Sequence, residues 1–281
     1  MKIGFFDSGI GGITVLYDTL KVLPNEDYIY YADTSNVPYG PKPKDEVKKY
    51  ILNAIDFIVE QGVKAVVIAC NTATSVAIEA LRSKYSIPII GMEPAVKPAI
   101  EKNKDMNKRV LVTATALTLK EEKLHNLIYK LDNEHVVDLL PLPGLVQFSE
   151  RLEFDEQIVL PYLKEELFKF DLNNYEAIVL GCTHFSYYKD MVRKLVPSNV
   201  SIIDGNIGTA KNLKRILKEM NLLNEGHGNI TFYNSGIRVG IKQNWIDIAD
   251  YLKEWIISTN IIFLKRFKSH SSEMTTGNSK N

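Results

Sequence analysis

The stretch VVIACNTATS (66–75) carries four apolar residues straight into Cys70, then turns polar with Asn71, Thr72 and Thr74. An unbroken apolar run bounded by a turn-like cluster reads as a strand buried on both faces, not as one with a wet side. Such strands belong to parallel sheets covered by helices, so this stretch points to an α/β fold. It has a counterpart. IVLGCTHFSY (178–187) again runs apolar, apolar, apolar, small, Cys, then polar. Each segment closes the third strand of its half of the chain. The pair therefore reads as an internal duplication that gives two similar lobes.

Working outward, the first half predicts strands at KIGFFD (2–7), YIYYAD (28–33), AVVIAC (65–70) and IPIIG (87–91). Helices are predicted over about 12–22 and 74–84, and across Val47, Ile51, Ile55 and Ile58, whose spacing places them on one face. The second half repeats the plan with strands at 109–114, 135–140, 176–182 and 200–204, and helices over about 118–131 and 155–170. A last strand, NITFYN (229–234), and a helix near 243–258 finish the chain before a Ser/Thr/Asn-rich end. The prolines of EPAVKPA (93–99) mark one boundary and DGNIG (204–208) the crossing back. The expected lobes are 1–96 with 208–266, and 97–207, with a disordered tail over 267–281. Each lobe is expected to hold a mostly parallel sheet flanked by helices.

Composition narrows the class of function. In 281 residues, 34 Lys and Arg balance 34 Asp and Glu, so the chain lacks the basic field of a general nucleic-acid or membrane-surface binder. Apolar residues at 45% and charged residues at 24% are those of a globular protein with a substantial core. The two cysteines form neither a disulfide framework nor a metal-ligand cluster. MKIGFFDSG (1–9) enters strand-like sequence without a signal-peptide pattern, and no apolar run reaches bilayer-spanning length. A reducing cytoplasm is the expected location.

In open parallel sheets ligands bind beyond the carboxyl ends of the strands, where helix N-termini point free amides. DSGIGG (7–12), PYG (38–40) and the two cysteine turns all fall there. If the lobes face each other, both thiols look into one cleft from opposite sides. Racemisation suits that arrangement, because one group removes a proton from one face of a carbon while its equivalent supplies one to the other. A helix N-terminus is expected to lower a thiol's pKa, and Asp7 and His184 are placed to assist proton transfer. Each residue also has a plain reading. A single buried cysteine is more often a small hydrophobe, Asp7 can cap the first helix, and GIGG (9–12) can serve tight packing. The paired contexts of the cysteines favour chemistry over packing.

Four motifs in order, FDSGIGGITVL (6–16), VPYGPKP (37–43), ACNTAT (69–74) and GCTHF (181–185), resemble those of the glutamate racemases, within the cofactor-independent aspartate/glutamate racemase superfamily. The resemblance spans roughly residues 2–258 and implies two similar α/β lobes with the active site in the cleft between them. It implies interconversion of L- and D-glutamate without cofactor or metal, supplying D-glutamate for peptidoglycan, often in a homodimer. It implies Cys70 as the acid/base for D-glutamate and Cys182 as that for L-glutamate, with Asp7 and His184 assisting both the thiols and the substrate ammonium. Ser8, Tyr39 and Gly40 match positions holding the side-chain carboxylate; Asn71, Thr72 and Thr183 match those around the α-carboxylate and ammonium. Glu150, closing PGLVQFSE (143–150), falls where the family has an auxiliary acidic residue, in a segment that departs from the usual pattern. Ser186, Tyr187 and Tyr188 likewise stand where proline and aliphatic residues are usual. Competing readings are a racemase of aspartate or another acidic amino acid, a hydrolase using Cys182 as a covalent nucleophile with His184, and a non-catalytic small-anion binding protein.

Overall fold

The computed structural model describes residues 1–102, 108–132, 135–224 and 226–239. Strands and helices alternate through the first half: β1 (Ile3–Asp7), α1 (Ile13–Val22), β2 (Tyr28–Ala32), α2 (Lys44–Glu60), β3 (Ala65–Ile68), α3 (Asn71–Lys84), β4 (Ile89–Gly91) and α4 (Val96–Lys102). The second half continues with β5 (Arg109–Ala114), α5 (Ala116–Lys120), α6 (Glu122–Leu131), β6 (Val137–Pro141), α7 (Pro143–Glu150), α8 (Glu156–Leu167) and β7 (Tyr175–Leu180). A 3-10 helix (Thr183–Tyr188), α9 (Lys189–Leu195), β8 (Ser201–Asp204), α10 (Asn206–Glu219), β9 (Ile230–Asn234) and β10 (Ile237–Arg238) follow. The predicted helix near 243–258 and the tail 267–281 lie outside the described residues.

These elements make two sheets. The first runs β10-β9-β2-β1-β3-β4 and the second β6-β5-β7-β8. All pairs are parallel except β10 with β9. The block β2-β1-β3-β4 thus repeats as β6-β5-β7-β8, with β3 and β7, the strands that lead to the cysteines, in equivalent places. Every residue of β1, β2 and β3 is buried, as apolar runs without polar alternation require when helices cover both faces. On one side of the first sheet, Val47, Ile51, Ile55 and Ile58 of α2 pack fully buried against Phe6, Val66 and Ile68. Burying one such side chain contributes about 1.5–3 kcal/mol. The core on the other side runs without a break from Leu16 of α1 into Leu145 of α7 and Phe185 of the 3-10 helix, so the two sheets share it.

Among the departures from the sequence reading, four have local causes. The helix expected over 118–131 is two helices, because the backbone at Glu121 is extended (φ −72°, ψ 130°) and its buried carboxylate meets Lys44 of α2 at 2.6 Å. α3 starts at Asn71 rather than 74, because Cys70 itself caps it. α7 occupies a stretch where no element was expected; Pro143, at its first position, needs no N–H donor there. α10 fills what was read only as a crossing, burying Leu213 and Leu217 against the shared core.

Candidate active site

Both cysteines leave their strands in extended conformation at the residue before a helix. Cys70 has φ −73° and ψ 120°, and Cys182 has φ −146° and ψ 137°. Both line one cavity of about 130 Å³. The remaining walls come from the other strand ends: Ser8 after β1, Tyr39 and Gly40 after β2, Thr72 in α3, and His184 beside Cys182. From the second sheet, Thr115 follows β5, and Pro143, Val146 and Gln147 follow β6. Each half thus contributes the carboxyl ends of its strands, as expected for ligands in open parallel sheets.

The surroundings of the two thiols differ. The Cys70 thiol donates to Ser8 Oγ at 3.8 Å, and its sulfur accepts the Ala73 N–H at 3.4 Å. Burial, reinforced by the negative charge of Asp7, pushes this thiol up to about 12. One helix N–H does not offset that, so the thiol is not depressed as the helix N-terminus suggested. Cys182 Sγ instead lies 3.7 Å from His184 Nδ1, and His184 Nε2 meets Glu150 Oε1 at 2.5 Å. Burial alone would pull the imidazole down, but its hydrogen bonds to Cys182 and Glu150 hold it well above its ordinary range. These contacts favour the protonated form of His184, which bridges Cys182 and Glu150.

Asp7, Asn71, Thr183 and Glu150 stand behind the wall rather than in it. Asp7 is fully buried, and burial raises its carboxyl to about 6 despite the neighbouring imidazolium and two donors. Those donors are the Gly9 N–H at 2.8 Å and, from the second sheet's side, the Thr183 hydroxyl at 3.0 Å. Asn71 donates to the Met92 carbonyl at 3.3 Å, leaving its Oδ1 buried with no hydrogen-bond partner among the described residues. The Tyr39 hydroxyl is committed to Asp33 Oδ2 at 2.5 Å, so the cavity meets its ring and backbone. The glycines of DSGIGG serve close approach: a Cβ on Gly9 would sit 1.9 Å from Glu150 Oε1, and one on Gly11 would sit 2.4 Å from Thr183 Oγ1.

Sequence reasoning missed Thr115. Its hydroxyl lies 2.9 Å from that of Thr72 and 3.0 Å from that of Thr118, and Thr118 closes the triangle with Thr72 at 3.0 Å. The duplication contained the signal, because β5 is the counterpart of β1 and Thr115 follows it as Ser8 follows β1. Among the described residues, no group of three or more His, Cys, Asp and Glu side chains is placed to hold a metal ion.

Residues 19–213 match the family described as Asp/Glu/Hydantoin racemase. Glutamate racemase 2 of Bacillus subtilis (strain 168) is 59% identical over 239 residues, 85% of this chain and 90% of the relative. The chain belongs to the glutamate racemase family. A further glutamate racemase, from Halothermothrix orenii, is 55% identical over 238 residues, covering 84% of this chain and 93% of its own. The solved glutamate racemase of Francisella tularensis subsp. tularensis SCHU S4, in complex with D-glutamate, superposes with a TM-score of 0.72 at 32% identity, covering 83% of this chain and 87% of that one. Glutamate racemases are thus similar to this chain in sequence and in fold, across both sheets.

Proposed function

We propose that the protein interconverts L- and D-glutamate by proton transfer between Cys70 and Cys182, supplying D-glutamate for peptidoglycan. The observation that carries this reading is the pair of thiols at equivalent strand ends, both lining one cavity. One sulfur, as thiolate, takes the α-proton from one face of the substrate. The other, as thiol, delivers its proton to the opposite face, and the electron pair left on the α-carbon forms the new C–H bond. The enzyme is left with the protonation of its two sulfurs exchanged, and proton exchange with solvent resets it.

On this reading Asp7 assists proton transfer at Cys70 and sets its negative charge towards the substrate ammonium, His184 assists Cys182, and Glu150 holds His184 protonated. Ser8, Tyr39 and Gly40 hold the side-chain carboxylate, while Asn71, Thr72 and Thr183 orient the α-substituents. The lobes are 1–96 with 208–239, and 97–207; residues 240–266, expected in the first lobe, lie outside the described residues. The working form is a homodimer in the cytoplasm, where unpaired thiols persist; sedimentation at micromolar concentration reads the dimer. Among the described residues no helix is long and apolar enough to cross a membrane. Incubation with L-glutamate in heavy water under reducing conditions yields D-glutamate bearing α-deuterium. Absence of both product and exchange overturns the reading, and a faster rate on aspartate reassigns the substrate.

A further inference from the structure

The proton-transfer reading leaves unused two buried tyrosines that reach the loop between β1 and α1. Tyr30 donates its hydroxyl to the Gly9 carbonyl at 2.8 Å, and Tyr187, in the turn behind Cys182, donates to the Ile10 carbonyl at 2.8 Å. The Gly9 carbonyl and the Ile10 N–H are the two poles of one peptide unit, and that N–H donates to Glu150 Oε1 at 2.9 Å. Ile10 is therefore held at its N–H by Glu150 and at its C=O by Tyr187, both from the second half of the chain; the Ile13 N–H shares that carbonyl at 3.1 Å. Rotation of the backbone on either side of its Cα breaks one of these bonds. Glu150 Oε1 is the same oxygen that meets His184 Nε2. Where the Ile10 N–H points thus decides how that oxygen faces the imidazole beside Cys182.

The ring of Tyr187 is itself fixed. Phe154 packs against it edge-on with centroids 5.5 Å apart, and stacks on Tyr188 at 5.5 Å. Tyr188 provides a contrast in the adjacent position, because its hydroxyl goes to the Glu153 carbonyl at 3.0 Å and not to the β1–α1 loop. We infer that Tyr187 is a positioning residue for proton transfer at Cys182: its hydroxyl fixes the Ile10 carbonyl while Tyr30 fixes the Gly9 carbonyl, so the Ile10 N–H stays aimed at Glu150 and Glu150 stays docked on His184. The inference rests on the racemase reading, and its test is built to separate the two.

Tyr187→Phe removes one oxygen and keeps the ring against Phe154; Tyr188→Phe removes the neighbouring hydroxyl from the same cluster. Two readouts are taken on the full chain: steady-state racemisation, and the His184 ring signals in a ¹H–¹⁵N spectrum, identified as those absent in His184→Asn. Tyr187→Phe is expected to lower kcat about three- to tenfold, the scale of one hydrogen bond, with KM within about twofold. It is also expected to displace the His184 signals. Tyr188→Phe lowers the melting temperature comparably and leaves kcat and those signals near the parent's. The inference is overturned if Tyr187→Phe matches the parent in both readouts, or if Tyr188→Phe shifts them equally, since that is general loosening of the core. A parent without racemase activity overturns the proposed function, and the His184 signals still decide the role of Tyr187.

Discussion

Cys70 caps a 14-residue α-helix and takes the Ala73 N–H on its sulfur, whereas Cys182 opens a six-residue 3-10 helix, takes no such bond, and faces an imidazolium. The strands that deliver them occupy equivalent places in the two sheets. Duplication thus fixes where each thiol stands but leaves its immediate contacts to neighbours that were not duplicated. On one side those are Asp7 and a weak contact to Ser8; on the other, His184 and Glu150. A reaction that runs both ways tolerates unlike surroundings for its two thiols, because the two enantiomers have equal free energy and only the balance of individual steps shifts.

The sharpest way to break the comparison is to remove each thiol in turn. Cys70→Ser and Cys182→Ser are each expected to lower racemisation by about a thousandfold, within the range for loss of a positioned acid or base. Full activity in either variant ends the two-thiol mechanism. Glu150→Gln keeps an acceptor for the Ile10 N–H and removes the charge that holds His184 protonated, with kcat expected to fall about a hundredfold. The values of kcat/KM in the two directions must fall together, so the asymmetry is read elsewhere. The primary isotope effect should rise more with α-deuterated L-glutamate than with the D-isomer, because Cys182 is assigned the L-face. Equal changes would show that Glu150 serves both thiols alike.

Asp7 bears on the other side of the comparison. Burial raises its folded pKa to about 6 from the 3.8 of an ordinary aspartate, so the folded state holds this proton more tightly than the unfolded chain. The resulting stability is fully present below pH 3.8 and is lost as pH rises through 6. Asp7→Asn should remove roughly 3 kcal/mol of that pH dependence, seen as a flatter difference between urea melts at pH 4 and pH 8. An unchanged slope would place the titration elsewhere. The smallest effect on kcat belongs to Ser8→Ala, whose 3.8 Å contact with the Cys70 thiol is long and whose assigned hold on the substrate carboxylate is read in KM. Its kcat should stay within about threefold of the parent, because weak hydrogen bonds contribute little; a larger loss would give Ser8 a direct part in proton transfer.

Much of the fold was legible because its signals are local. An apolar run without alternation marks a buried strand whatever surrounds it, and the repeated cysteine turn placed the two halves in correspondence. α7 was not legible, since PGLVQFSE opens with residues that usually punctuate helices; only the tertiary setting shows Pro143 at a first turn and Glu150 aimed at His184. The protonation states were equally hidden. A helix N-terminus is visible in sequence, but the burial and the Asp7 charge that outweigh it at Cys70 are properties of the assembled core. Thr115 lies between these cases, recoverable from the duplication and invisible to motif matching.

The place of β9 bears on how the chain is made. It lies beside β2 in the first sheet, although it follows β8, the last strand of the second. A ribosome that has exposed residue 204 has released every strand of the second sheet, while the outer edge of β2 still lacks its neighbour. Nearby, the buried pair Lys64 and Glu26 waits as well, because it is completed by the Leu222 carbonyl and the Asn224 N–H. Nascent chains therefore pass through an interval with one sheet finished and the other bearing a bare, apolar, β-branched and aromatic edge. An open edge of that kind invites pairing with another chain. Closing that edge needs residues 230–234, so the first sheet is completed only after every strand of the second has been made.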